Sequence, residues 1–221
     1  MDYSTAPIRS INLPGPNGNP ASCLLKRVSK FGILPVTAIG TLFWYNEWKY
    51  QLPTPVPQGY MPVQPGASIA LPASLQHIGG KPLFLHFFNP DCPCSKFNIG
   101  QFQSLVQEYG TRVDFRVVAI TQKHYSVNDI QKKFAITLPV VFNDSLATLC
   151  GVYSTPQVAL LDAGNRLFYR GNYNKSRYCA DEKTSYAKMA ISGLLNSQVN
   201  TQLFSQAALT SYGCSLPGCN R

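Results

Sequence analysis

The 221 residues predict an α/β fold with a mixed sheet, preceded by an N-terminal membrane-anchor helix. Three observations carry that reading. The run Leu83–Phe88 (LFLHFF) has the length and aromatic content of a buried strand, and a helical pattern opens just beyond it at Phe97, Phe102, Leu105 and Val106. Strand-like and helix-like segments then alternate and close on a hairpin and a last helix. Upstream of them all, Phe31–Tyr45 (FGILPVTAIGTLFWY) holds no charged residue.

Residues 1–30 are expected to be a disordered, basic, cytoplasmic tail, because Met1 to Ala21 is rich in Pro, Gly, Asn and Ser and has no period. Residues 31–48 are expected to be a transmembrane anchor. The apolar run is shorter than the ~20 residues a spanning helix usually needs, so Trp and Tyr at its end would have to settle at the interface. Between Asp2 and Glu47 every charged residue is basic (Arg9, Lys26, Arg27, Lys30), which sets the N-terminus inside. A cleaved secretory signal and a buried core helix compete with the anchor. Phe43-Trp44-Tyr45 does not look like a cleavage site, and a core helix would carry more polar residues. Residues 49–79 are expected to be a proline-rich linker with a short extension, the prolines giving a semi-rigid spacer that holds the domain off the bilayer.

Residues 80–221 form the main domain, ending in a cysteine-containing tail. After the helix that follows Leu83–Phe88, Asp114–Ile120 reads as a strand. Ser126–Phe134 reads as a helix whose Ser126 and Asp129 fit a capping box, with Asp in place of the usual Glu or Gln. Leu138–Phe142 is a brief strand and Asp144–Cys150 a short helix stopped by Gly151. Gln157–Leu161 and Arg166–Arg170 form a hairpin around Ala163-Gly164-Asn165. Thr184–Leu195, extended toward Leu209, closes the domain as a helix.

The chemistry concentrates at Asn89-Pro90-Asp91-Cys92-Pro93-Cys94-Ser95, between strand and helix. A cysteine at a helix mouth meets the positive end of the dipole and free N–H groups, which favour thiolate. Asp91 opposes that by like charge, Lys96 assists it, and Pro93 suits the first turn because its missing N–H has no partner to lose. This stretch resembles the thioredoxin-like superfamily, in its redoxin and membrane-anchored thiol–disulfide oxidoreductase branch. The resemblance implies a three-layer α/β/α sandwich. Phe87 and Phe88 hold the family's aromatic positions ending the strand, which puts Cys92 on the nucleophile. Ser95 stands at the family's resolving position, Cys94 one residue too early, and His86 where thioredoxins hold a buried acid. The resemblance further implies that Thr155-Pro156 is a cis bond facing the nucleophile, whose backbone binds an extended substrate.

Cys92 and Cys94 are therefore the expected catalytic pair, Thr155 and Pro156 the substrate-binding pair. His86 is either a proton shuttle or a satisfied core histidine. Two residues apart on a helix, Cys92 and Cys94 point to different faces, so Cys150 and Cys179 stand as alternative resolving thiols. Cys214 and Cys219 flank the turn sequence Ser-Leu-Pro-Gly and are expected to form a structural disulfide; the alternative is a mobile dithiol that relays electrons to Cys92. No cofactor is called for. Copper is the competing chemistry, with Cys92, Cys94 and His124 as ligands, although thioredoxin-like copper-delivery proteins space their cysteines three apart. A fold that has lost redox activity and only binds is the third possibility.

Nineteen basic against ten acidic residues give a net charge of +9, but no basic run interleaves with aromatics, so no nucleic-acid partner is expected. Seven cysteines, six of them in the domain, fit an oxidising compartment. The expectation is a thiol–disulfide oxidoreductase anchored in a bacterial inner membrane by one span. Its domain would be periplasmic, acting on protein thiols and disulfides together with a redox partner.

Overall fold

The computed structural model describes residues 35–48, 52–75, 80–175, 184–198 and 200–216. The chain divides into two units, Met1–Lys49 and Tyr50–Arg221. In the first unit, residues 35–48 form helix α1. Its Val36, Ile39, Leu42, Phe43, Trp44, Tyr45 and Trp48 are exposed. Fourteen helical residues rise about 21 Å, against about 30 Å of bilayer hydrocarbon. Among the described residues no helix is long and apolar enough to cross a membrane; the span expected over 31–48 begins in residues outside them. The tail expected over 1–30 lies outside the described residues.

In the second unit, β1 (Leu83–Phe88) is the central strand of a five-stranded mixed sheet. It pairs in parallel with β2 (Asp114–Ala119), which pairs in parallel with β3 (Val140–Phe142). On its other side β1 runs antiparallel to β5 (Gln157–Leu161), which continues antiparallel to β6 (Leu167–Gly171). Every residue of β1 is buried, so alternation along the strand feeds two cores rather than one core and solvent. Phe84 and Phe88 face a cluster built by α3 (Ile99–Tyr109), α4 (Val127–Phe134) and α6 (Tyr186–Leu195). Leu83, Leu85 and Phe87 face a second cluster with Leu146 and Ala147 of α5 (Asp144–Leu149), joined by Ile69, Leu75 and Leu216. Helices thus cover both faces of the sheet, the expected three-layer arrangement.

Local chemistry sets several boundaries. The Ser126–Asp129 capping box forms: the Ser126 hydroxyl accepts from Asp129 N–H at 3.1 Å, and the Asp129 carboxylate accepts from Ser126 N–H at 2.9 Å. Asn143 caps α5 by accepting from Leu146 N–H at 3.1 Å. The β5–β6 hairpin turns through Asn165 at φ +59°. The last helix is shorter than its apolar pattern suggests. The chain reverses at Ser197 (φ +54°), Gln198 N–H donates to Gly193 O at 2.8 Å, and the structure continues as a 3₁₀ turn at Thr201–Phe204 and a single turn α7 (Gln206–Leu209).

The proline-rich stretch is not a free spacer. Thr54 is buried, Tyr60 donates to Gly151 O at 2.8 Å, and Gly66 N–H donates to Leu167 O at 2.7 Å. Proline lacks an N–H that packing would orphan, so such a chain can lie on a surface with its few remaining donors placed. Of the short extension expected at the end of residues 49–79, the described part forms the 3₁₀ turn Ala73–Leu75.

Candidate active site

The site begins where β1 ends. Cys92 N–H donates to Asn89 O at 3.1 Å, turning the chain into the five-residue helix α2 (Pro93–Phe97), whose N-cap is Cys92 itself. Asn98 separates α2 from α3 and donates its Nδ2 to Cys94 O at 3.3 Å. Ser95 is fully buried, and its hydroxyl accepts from Asn89 N–H at 3.2 Å. The residue at the family's resolving position therefore braces the turn that presents Cys92.

Asp91 does not face the thiols as a bare charge. It accepts from Lys123 at 2.9 Å, from the Tyr125 hydroxyl at 2.8 Å and from Thr121 at 3.1 Å. The Lys123 hydrogen bond is the main cause holding its carboxyl below the ordinary range. With a cation in contact, its opposition to a nearby thiolate is partly offset.

Cys92 is disulfide-bonded to Cys214, 122 positions later, with Cα atoms 6.5 Å apart. The expected Cys214–Cys219 staple is thereby corrected, because Cys214 is already engaged; Cys219 lies outside the described residues. The reason is a strand pairing rather than a turn. β4 (Ser154–Thr155) runs antiparallel to β7 (Cys214–Ser215), with Ser154 opposite Ser215 and Thr155 opposite Cys214. The Thr155–Pro156 bond is cis. Upstream of Cys214 the arm is seated by buried polar contacts. Gln157 donates to the Ser211 hydroxyl at 2.6 Å, Thr54 N–H to Ser211 O at 2.8 Å, and the Thr54 hydroxyl to Gly213 O at 3.0 Å. Asn172 holds the preceding turn by donating to Ala207 O and Thr210 O at 2.9 and 2.6 Å. Downstream, Leu216 packs into the second core.

Cys94 is partly exposed and carries a free thiol. The sulfurs of Cys92, Cys94 and Cys214 all lie within 4.8 Å of one another. This is the one group of three or more potential metal-ligating side chains among the described residues, and the exposed His124 is not in it. The copper set expected from Cys92, Cys94 and His124 is corrected accordingly. Cys150 is also corrected as a resolving thiol. It is fully buried in the second core, and burial pushes its thiol up to about 12, so it stays protonated near neutral pH. Cys179 lies outside the described residues.

His86 is sealed in an aromatic box. Its ring stacks on Phe102 at 4.4 Å between centroids, meets Tyr173 edge-on at 5.4 Å, and shares a hydrogen bond between Nδ1 and the Tyr173 hydroxyl. Its Nε2 has no partner, and burial lowers its pKa to about 3. The imidazole is therefore neutral at physiological pH, and no hydrogen bond links it to a cysteine among the described residues.

Thr54, Gln157, Ser211 and Gly213 belong to the site but carry no motif. The nearest signal is the Gly-Cys pair at Gly213-Cys214, which looks like part of a turn when read alone.

Sheet order, a cysteine just past the central strand, and a cis Thr155–Pro156 bond give the chain a thioredoxin-like fold. Residues 63–216 match the family described as a domain of unknown function, DUF6436, and the chain belongs to it. No curated protein matches the sequence. Solved structures with this fold include an uncharacterized conserved protein from Geobacillus kaustophilus (16% identity, TM-score 0.53, covering 75% of this chain and 97% of that one). A hypothetical protein from Sinorhizobium meliloti 1021 matches similarly (16%, TM-score 0.53, covering 72% and 96%). A thioredoxin-like protein in its oxidised form matches at 16% identity and TM-score 0.45, covering 67% and 99%.

The buried histidine yields a pH prediction. The folded pKa of His86 is depressed to about 3 while the unfolded value stays near 6.5. Between those values the unfolded chain binds a proton that the folded chain refuses. His86 therefore imposes no penalty above pH 6.5 and a growing one as pH falls, at up to about 1.4 kcal/mol per pH unit. His86→Phe should flatten the fall in urea-unfolding free energy between pH 6 and pH 4 by that slope. An unchanged slope would assign the acid sensitivity to the carboxylates.

Proposed function

We propose that the protein is a thiol–disulfide oxidoreductase in which Cys92 is the nucleophile and Cys214 the resolving thiol. The observation that carries this reading is the Cys92–Cys214 disulfide seated on the Thr155 strand edge. The steps balance without a cofactor. The Cys92 thiolate attacks a client disulfide, forming a mixed disulfide and releasing a client thiolate. Cys214 thiolate then attacks the Cys92 sulfur, which closes the internal disulfide and frees the reduced client. Run in reverse, the same steps oxidise a client dithiol. A second dithiol or disulfide protein returns the cysteines to their starting state, and the relative reduction potentials set the direction.

In the oxidised state Cys92 is almost wholly covered while Cys214 is partly exposed. The thiolate of the recycling partner therefore reaches Cys214 more readily and frees Cys92, whereas a client thiolate running the steps in reverse attacks Cys92 and needs the arm to move aside. Cys94, expected first as the resolving thiol, becomes a bystander able to exchange with either sulfur. Cys214→Ser should accumulate client-linked mixed disulfides through Cys92 on non-reducing gels, Cys92→Ser should trap none, and Cys94→Ser should still close Cys92–Cys214. Peptide mapping of the oxidised protein checks the linkage; closure through Cys94 in the wild type would reassign the resolving role.

A second reading rests on the three sulfurs within 4.8 Å, which in the reduced protein are a soft donor set suited to Cu(I). Under it, reduced protein takes up one Cu(I) per chain, and Cys94→Ser and Cys214→Ser each weaken binding at least tenfold against a competing chelator. Redox cycling with no metal uptake removes this reading.

We place the domain outside the cytoplasm, tethered at a bacterial inner membrane through the segment containing α1. The exposed aromatic and aliphatic side chains of α1 and the basic residues before it support this location. Protease added to intact spheroplasts should digest the domain, and protection until lysis would reverse the compartment.

A further inference from the structure

The arm that carries Cys214 does more than deliver a thiol. It lies as an extended strand on the β4 edge, with Thr155 opposite Cys214, and Thr54 binds its other side through Ser211 O and Gly213 O. The arm thus fills a slot between Thr54 and Thr155. Strand addition of this kind draws affinity from main-chain hydrogen bonds and selectivity from the side-chain positions. Three positions are selective here. Ser211 is fully buried with its hydroxyl on Gln157. A Cβ on Gly213 would overlap the carbonyl oxygen of Thr155 and come within 3.5 Å of Pro156 Cδ. Because the clash is with backbone, no side-chain rotation relieves it. Leu216, two residues past the cysteine, is buried in the second core.

We propose that the slot between Thr54 and Thr155 is the client-binding site, and that Ser211–Leu216 is a tethered copy of the client. Its substrates are extended segments with glycine directly before the reacting cysteine and an apolar residue two positions after it. This rests on the oxidoreductase reading and adds to it the client class. A tethered strand also competes with every free client at the effective concentration its tether sets. A client must therefore displace the arm or arrive when it is out.

The test uses the reduced full-length chain carrying Cys214→Ser, so that Cys92 cannot close on the arm. The probes are two peptides, Ser-Tyr-Gly-Cys-Ser-Leu and Ser-Tyr-Val-Cys-Ser-Leu, each with its cysteine joined to thionitrobenzoate. Attack by the Cys92 thiolate on the peptide sulfur forms the mixed disulfide and expels coloured thionitrobenzoate, with no other oxidant needed. Adduct at Cys92 is quantified by peptide mapping. The glycine peptide should react at least tenfold faster than the valine peptide; equal rates overturn the proposal. Adding Gly213→Val to Cys214→Ser should expel the arm and raise the glycine-peptide rate about fivefold or more, and no gain overturns the tethered-occupant half. If the double variant does not fold, the two-peptide comparison decides alone. Reaction with the small reagent dithiobis(nitrobenzoate) separates the two levels. A Cys92 inert to it sinks the oxidoreductase reading itself, whereas a reactive Cys92 that ignores the difference between peptides sinks only the client class.

Discussion

Strand β1 has no exposed face, and the rest of the domain is arranged to keep it so. Phe84, His86 and Phe88 on one side and Leu83, Leu85 and Phe87 on the other are all fully buried. Burying an aromatic or aliphatic side chain of this size contributes about 1.5–3 kcal/mol, so the five apolar positions outweigh any local propensity in the segment. A strand held on both faces and both edges cannot shift register without turning each side chain into the wrong core. That rigidity passes to the next residues. The Asn89–Cys92 turn hangs from the end of an immovable strand, and Cys92 inherits its position from Phe88 rather than from its own short helix.

The same burial explains a polar residue that does no visible chemistry. His86 occupies a β1 position whose neighbours are Phe88, Phe102 and Tyr173. One ring nitrogen is satisfied by Tyr173 and the other is not. A neutral imidazole with one orphaned nitrogen costs less than a buried charge, which is why burial drives the group toward the neutral form. A proton shuttle needs a pKa near the working pH and a path to the thiol. The aromatic box provides neither.

How much of this was legible in the sequence depended on whether the determining partner was close along the chain. The central strand, the capping box at Ser126 and Asp129, and the hairpin at Asn165 could be read because each is decided within a few residues. The end of α6 could not, because the apolar pattern continues to Leu209 while the reversal at Ser197 interrupts it. The docking of the proline-rich stretch was also hidden. Composition reports stiffness, but whether a stiff chain packs depends on Gly151, Leu167 and Ser211, far away in sequence. The site divides the same way. Cys92 stood out through local context and Thr155-Pro156 through the family resemblance, whereas Cys214 looked like half of a turn with Cys219. No spacing rule joins positions 122 apart.

The two departures from the superfamily pattern at the thiols account for each other. The resolving position holds Ser95, whose hydroxyl takes the Asn89 N–H and so stabilises the turn. A thiol there would be a weaker acceptor. The sulfur of the neighbouring Cys94 lies within 4.8 Å of Cys92, yet the bond at Cys92 is made with Cys214. Neither local residue closes the ring, and the second sulfur comes from 122 positions later instead. For that to work the far end must be steered to within a few ångströms, and the domain supplies the means in successive contacts. Asn172 fixes the α7 turn, Gln157 and Thr54 fix Ser211, Gly213 permits close approach to Thr155, and Leu216 anchors the exit. None of these contacts is made by the disulfide sulfurs, so each holds the arm independently of the Cys92–Cys214 bond. On the proposed oxidoreductase reading the arm is then both the resolving group and the first competitor that any client meets.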